Sequence, residues 1–200
     1  MKLNERLPDG VTVDGKFYKC DFDFRNVFEM QEILSRNDLL QPAREYKALK
    51  CVIKHPKNVS RVLVAVKVLL FGEPSKNAEK TAENKHEKIT DFKQDAPLIR
   101  AAFYQAYGID LYREKIHWIK FTELLNSIPS DTRYAEVLSL RARPVPKPTK
   151  WNMEERASII RAKAAVALEM SEEQRKEQYA EGVKNAFAGL MNFYFGGSEK

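Results

Sequence analysis

The chain has 200 residues, of which 44% are hydrophobic and 31% charged, a composition typical of a soluble globular chain and unlike a disordered one. Its net charge is +6, and its longest apolar stretch, 62–71, contains Lys67 and is too short to span a membrane. The first twenty residues lack the apolar run of a signal peptide, and Cys20 and Cys51 lack metal-site or disulfide-scaffold spacing, so the sequence predicts a cytoplasmic protein with reduced thiols.

The first predicted element is a β-hairpin over 11–20. Its β-forming residues alternate around Asp14 and Gly15, a dipeptide that accepts the positive φ angles of a tight turn. The apolar spacing then changes to that of a helix, for which Asp23 is the predicted N-cap. The N-terminal region is therefore predicted to be a hairpin followed by a helix.

Two further helices are predicted before a charged connector. The second helix covers 42–54, with an inner side of Tyr46, Leu49, Val52 and Ile53. The apolar run 58–72 is ambiguous between strand and helix, and its length and terminal glycine favour a helix. The following lysine- and glutamate-rich stretch, 72–90, is expected to be an exposed connector.

The central part of the chain predicts two more helices. Asp95 is placed to cap a helix that ends where Gly108 takes a left-handed conformation. In the next predicted helix, His117 lies inside the first turns and Trp118 begins an apolar stripe. Both Phe103 and Trp118 are expected in the core.

The C-terminal part begins with a helix capped by Ser130 or Asp131, followed by a proline-rich extended tether over 143–150. Asn152 and Glu155 form a predicted capping box for a helix that runs to about residue 168. The complete fold prediction is mostly α, a small helical bundle with an N-terminal β-hairpin. It is a single domain over 1–170, extended by an amphipathic helical segment over 171–200.

The sequence offers little for catalysis. The three histidines, His55, His86 and His117, are not joined to a metal-binding motif, and no glycine-rich phosphate loop occurs. Paired acidic residues occur near predicted helix starts, where the helix dipole alone explains them. We therefore expect no catalytic residues, no metal and no cofactor, and we do not expect an enzyme.

Two kinds of surface are candidates for partners. A basic patch of Arg141, Arg143, Lys147 and Lys150 could contact nucleic acid, although it lacks a recognised nucleic-acid motif and a solvated tether explains it more simply. Apolar and aromatic side chains form the second set, with helical spacing in its C-terminal part. This set consists of Tyr104, Tyr107, Phe187, Leu190, Met191 and Tyr194.

Three stretches carry a resemblance to a known family: "VTVDGKFYKCDFDFRNVFEMQEIL", "DFKQDAPLIRAAFYQAYGIDL" and "KIHWIKFTELLNSIPSDTRYAEVLSLRARPVPK". With their QDAP, QAYGIDL and HW-x-x-F elements in this order, the chain resembles the bacteriophage gene-product-fifteen family over about 11–168. The family often has a second tryptophan where Ile119 stands here. The resemblance implies a small, mostly helical protein of the tail-morphogenesis module that acts as a tail assembly chaperone, and it transfers no catalytic residue.

The leading functional expectation is a tail assembly chaperone in the bacterial host cytoplasm. It would bind the tape-measure protein, and also copies of itself or other tail proteins, through helical apolar surface. One alternative is a structural tail component that is retained in the virion. Another is a nucleic-acid-binding phage protein that uses 141–150.

Overall fold

A computed structural model describes residues 4–73 and 89–169 of the chain. Within these residues it has two strands and seven helices, which confirms the mostly α fold with an N-terminal hairpin. The elements are β1 Gly10–Val13, β2 Lys16–Lys19, α1 Phe24–Ser35, α2 Gln41–Val52, α3 Val59–Phe71, α4 Ala96–Tyr107, α5 Trp118–Asn126, α6 Arg133–Ala142 and α7 Met153–Ala165. Most of the predicted connector and the whole of 171–200 lie outside the described residues.

The chain divides into two compact units. The first contains 1–88 and 95–137, and the second contains 89–94 and 138–200. The single domain over 1–170 stays a prediction.

The hairpin begins and ends one residue earlier than predicted. Val11 pairs with Tyr18 in the antiparallel register, and both side chains are buried. Asp14 and Gly15 have φ values of 51° and 73°, the left-handed conformation that the turn requires. In the first unit, β1 packs against α3, so the hairpin covers one side of that helix.

The core of the first unit is a cluster of aromatic rings around Phe121 on α5. Stacked on Phe121 are Phe24 at 4.8 Å and Phe103 at 5.2 Å between ring centroids, and Phe28 meets it edge-on at 5.7 Å. The Trp118 ring lies 5.9 Å away. The burial of Phe103 and Trp118 confirms that both belong to the core.

The start of α1 is joined to the start of α5 by backbone hydrogen bonds. The Phe24 amide donates to the Ile116 carbonyl at 2.9 Å, and the Trp118 amide donates to the Phe22 carbonyl at 2.8 Å. Between these two bonds, Asp23 and His117 form an isolated antiparallel bridge. Two segments more than ninety positions apart in the sequence are thereby held side by side.

Arg25 adds a side-chain connection to the same junction. Its guanidinium binds both carboxylate oxygens of buried Asp23 at 3.1 Å. Its other terminal nitrogen donates to the carbonyls of Leu111 at 2.7 Å and Glu114 at 2.9 Å. One side chain therefore links the N-terminus of α1 to the loop that precedes α5.

Helix α2 ends at Val52, two residues earlier than predicted. One of the four residues predicted on its inner side is exposed. Leu49, Val52 and Ile53 are buried as expected, whereas Tyr46 is 45% exposed. Ala48 completes the buried side instead. At 100° per residue, Tyr46 lies roughly a third of a turn from the centre of that side.

Of two predicted helix caps in the first unit, the one at Asp23 is formed and the one at Asp95 is not. The Asp23 carboxylate accepts the Arg25 amide hydrogen at 3.0 Å, which confirms its capping role. Asp95 occupies the N-cap position of α4, but its side chain makes no capping hydrogen bond, contrary to the prediction. Its backbone is already right-handed helical, with ψ of −1°, whereas a capping residue needs an extended backbone.

The α6 cap was assigned to the wrong residue. The hydroxyl of buried Thr132 accepts the Ala135 amide hydrogen at 3.3 Å and donates to the Pro129 carbonyl at 2.9 Å. Thr132 therefore takes the role predicted for Ser130 or Asp131. A threonine that fills both hydrogen bonds while buried is favoured over an exposed neighbour.

The second unit holds the proline-rich segment 143–150 along helix α7. Arg156 donates to the Pro146 carbonyl, and Lys163 donates to the Arg143 carbonyl at 3.1 Å. The Asn152 side chain accepts the Thr149 amide hydrogen at 2.8 Å and donates to the Lys147 carbonyl at 2.9 Å. The predicted capping box was therefore wrong, because Asn152 binds the preceding loop and makes no side-chain cap bond to α7.

His117 is the N-cap of α5, so the prediction that it lies inside the helix was wrong. Its Nδ1 atom accepts the Ile119 amide hydrogen at 3.1 Å, and its Nε2 atom is 2.9 Å from the Pro8 carbonyl oxygen. Because Nδ1 accepts, the ring hydrogen lies on Nε2 and is donated to Pro8. The ring thus ties the segment before β1 to the beginning of α5.

Replacing His117 with alanine is expected to reduce the free energy of unfolding by about 1–3 kcal/mol, since both a cap and a half-buried hydrogen bond are lost. His117→Asn keeps a capping oxygen and should lose clearly less. Urea denaturation followed by circular dichroism measures both variants. Equal losses would show that the cap contributes nothing.

Candidate protein-binding surfaces

The two predicted aromatic residues of α4 have different environments. Tyr104 is 67% exposed on the helix surface. Tyr107 is half-buried, donates its hydroxyl hydrogen to the Leu124 carbonyl at 2.9 Å and meets the Phe103 ring edge-on at 5.7 Å. Tyr107 therefore links α4 to α5. The assignment of both residues to a partner surface stays a prediction, and the other four members, Phe187, Leu190, Met191 and Tyr194, lie outside the described residues.

Helix α3 carries an exposed apolar surface that sequence reasoning missed. Val64 is 60% exposed, Val68 is 37% exposed and Phe71 is 45% exposed. Their i, i+4, i+7 spacing places them in one row along the helix, which we call the α3 ridge. The ridge spans about 10 Å, enough for two turns of a second helix to lie against it.

The opposite side of α3 is firmly packed. Val62, Leu63, Val66 and Leu70 are buried there, in a unit where α3 contacts β1 and α2. The Phe71 ring meets the buried Trp118 ring edge-on at 5.7 Å, so one end of the ridge rests on the aromatic core. At the other end, Ser60 donates to the Glu45 carboxylate at 2.8 Å. The ridge is therefore presented by a fixed helix.

Most of the chain matches one known protein family. A family model described as Bacteriophage Gp15 protein matches residues 3–168. The chain belongs to the bacteriophage Gp15 family. This confirms the resemblance drawn from the sequence motifs, and it supports a phage structural or morphogenesis protein. Comparisons with curated proteins and with solved structures give no significant match.

Two of the motifs that carry the Gp15 resemblance meet in the first unit. The residues "DFDFRN" contain Asp23 and Arg25, and HW-x-x-F supplies the His117 cap and the central Phe121 ring. These motifs therefore build the junction between α1 and α5 and the aromatic core. The α3 ridge of this Gp15 protein lies outside the three stretches that carry the resemblance.

The predicted basic patch has one structural member and three exposed ones. Arg141 is half-buried and donates to the carbonyls of Val166 at 2.6 Å and Ile89 at 3.0 Å. Arg143, Lys147 and Lys150 have exposed side chains. Arg141 thus connects α6 to residues 89 and 166 within the second unit, and the other three charged side chains face solvent.

Reactive or metal-binding groups do not define a site in 4–73 and 89–169. Those ranges contain no group of three or more potential metal ligands and no helix long and apolar enough to cross a membrane. Cys20 and Cys51 are both free. Burial raises the pKa of the Cys20 thiol to about 11, which keeps it protonated and unreactive at neutral pH.

Proposed function

We propose that this Gp15 protein is a phage tail assembly chaperone that binds the tape-measure protein in the host cytoplasm. The observation that carries the proposal is the α3 ridge, an exposed row of apolar side chains on a helix whose other side is packed. The proposed activity is binding, with no catalytic residue assigned.

Helical apolar surface suits a tape-measure partner. Such a protein is long and helical, and its own apolar stripes aggregate when they are not covered. An amphipathic helix can lay its apolar face against Val64, Val68 and Phe71, as helices do in other helix-recognition modes. Because the ridge is already ordered, little conformational entropy is lost on the chaperone side when the partner binds.

Removing the ridge should remove chaperone activity. In Val64→Glu/Val68→Glu, two carboxylates replace the exposed apolar side chains, and glutamate keeps the helix because its helix propensity is high. Co-expressed with the tape-measure protein of the same phage, the unchanged protein should raise the soluble tape-measure fraction and co-purify with it. The variant should bring that fraction close to the level found without chaperone, because buried charge at the centre of an interface weakens binding about tenfold or more.

Leu40→Asp is the matched control. Leu40 is 82% exposed and occupies the N-cap position of α2, where aspartate is a favoured residue, so an apolar side chain is removed without harm to the fold. If the double glutamate variant and Leu40→Asp both solubilise the tape-measure protein as well as the unchanged protein does, the ridge is not the binding surface. No effect of the unchanged protein would contradict the chaperone proposal itself.

Purified virions separate the chaperone from a retained tail component. Mass spectrometry should find at most traces of this protein relative to the tail-tube protein. A fixed number of copies per tail would instead support the structural alternative.

A further inference from the structure

The second unit has an exposed apolar surface of its own. Trp151 is 96% exposed, Met153 is 73% exposed and Ile160 is 49% exposed. On α7, exposed Ala157 and Ala164 continue the row from Met153 and Ile160 at i, i+4, i+7 and i+11. We call these four residues the α7 ridge. It spans about 16 Å, and only Ile159 of this helix is buried.

Positive charge surrounds the α7 ridge. Residues 141–163 contain seven basic side chains and two acidic ones. The segment is therefore positively charged, and it disfavours a partner whose surface is also positive. Arg143, Lys147, Lys150 and Arg161 are exposed, whereas both acidic residues, Glu154 and Glu155, lie in the first turn of α7, where the helix dipole favours them. Exposed cations therefore lie on α7 and along the segment that precedes it.

The arrangement is held in place by hydrogen bonds. The bonds from Arg156 to Pro146, from Lys163 to Arg143 and between Asn152 and Lys147 fasten the proline-rich segment to α7. Lys147 and Lys150 are consequently carried beside the helix that bears the ridge. A partner meets a preformed surface that is apolar along one row and cationic beside it.

We propose that this surface binds an acidic amphipathic helix of another protein. An apolar stripe on such a helix would cover the α7 ridge and Trp151, and its flanking carboxylates would pair with the exposed lysines and arginines. Two copies of this chain that meet through this same surface would bring like charges together. Nucleic acid would leave the aliphatic row uncovered, because most of its contacts with proteins are polar contacts to phosphates and sugars. The inference concerns a different surface from the α3 ridge and does not depend on tape-measure binding.

Trp151 provides the measurement. The chain has two tryptophans, and Trp118 is buried at 5% exposure, so changes in accessibility to the quencher acrylamide report Trp151. The probe is a synthetic helical peptide with leucines at i, i+3, i+4 and i+7 and glutamates on its flanks. Titration of the full-length protein with it should shift tryptophan emission to shorter wavelength and protect Trp151 from acrylamide. Added salt should weaken the binding.

Matched probes and variants test each part of the surface. A peptide with lysine in place of every glutamate should not bind, and a scrambled acidic peptide without the stripe should bind much more weakly. Lys147→Glu/Lys150→Glu should bind the acidic peptide about tenfold more weakly while leaving the circular dichroism spectrum unchanged. Ile160→Asp should lose the emission shift.

Three results would overturn the proposal. These are no protection of Trp151 by the acidic peptide, equal protection by the lysine peptide, or stronger protection by oligothymidylate or by phosphatidylglycerol vesicles. The last result would assign the surface to nucleic acid or to an anionic membrane. Loss of tape-measure solubilisation in the α3 ridge variant, with peptide binding unchanged, would show that the two surfaces act separately.

Discussion

Phe121→Ala is expected to lower the free energy of unfolding of the first unit by about 3–5 kcal/mol, the largest effect of any single substitution considered. Phe121 is 1% exposed and stacks on Phe24 and Phe103 while it contacts Phe28 and Trp118. Truncation therefore removes apolar burial and also the ring contacts that join α1, α4 and α5. Since rigid rings surround the position from several helices, the cavity cannot easily collapse.

In the full-length protein, a single tryptophan in the first unit can report the unfolding of that unit. In a Trp151→Phe background, the remaining tryptophan is Trp118, whose ring lies 5.9 Å from Phe121. Urea denaturation followed by its fluorescence gives the unfolding free energy. Phe17→Ala is the matched control, since it removes the same atoms from a hairpin position that is 54% exposed and should cost under about 1 kcal/mol. Similar losses for Phe121 and Phe17 would contradict a core centred on Phe121.

Arg25→Ala is expected to cost about 2–4 kcal/mol, because it leaves the buried Asp23 carboxylate without its cation and two carbonyls without their donor. The Asp23 side chain is 4% exposed, whereas that of Arg25 is 39% exposed, so solvent replaces part of the lost interaction. The loss should exceed that of an ordinary surface ion pair because one guanidinium joins α1 to the loop at 111–114.

Arg25→Lys tests the geometry of that connection. A lysine ammonium keeps the charge but cannot form the fork that binds Asp23, Leu111 and Glu114 together, so it should recover only a minor part of the lost stability. Arg113→Ala is the control, because the Arg113 side chain is 88% exposed and its nearest contact with Asp110 is 3.8 Å. Full recovery by lysine would show that charge alone, and not the fork, stabilises the junction. Urea denaturation in the Trp151→Phe background measures all three variants.

Local signals predicted much of the fold. The turn at Asp14 and Gly15, the Asp23 cap and the left-handed Gly108 were correct because each depends on residues close in sequence. The caps at His117 and Thr132 were missed because they depend on contacts that the local sequence does not show. The His117 ring is held by the distant Pro8 carbonyl, and Thr132 is buried by the surrounding fold. The bridge between Asp23 and His117 pairs segments that are distant in sequence, and the hydrophobic periodicity of the sequence does not predict it.

The candidate surfaces were harder to predict than the fold. Val64, Val68 and Phe71 belong to the apolar run that favours a helix, but a short run rich in valine has no clear period and so does not show which of its side chains are exposed. A signal was available: α3 is apolar on nearly every side, and a helix at the surface of a small unit cannot bury all of them. Similarly, Trp151 and Met153 follow a segment rich in proline and lysine, and this composition predicts an exposed tether without indicating an apolar surface beside it.

The junction between α1 and α5 also constrains when the protein can fold during synthesis. The hairpin needs only its first nineteen residues, but Phe22 and Phe24 find their backbone partners at Trp118 and Ile116. Contacts so far apart in sequence form slowly because a long loop must close first. A nascent chain that has not yet released Trp118 from the ribosome therefore leaves Phe24, Phe28 and Phe103 uncovered. During that interval the protein exposes apolar rings through which it can aggregate.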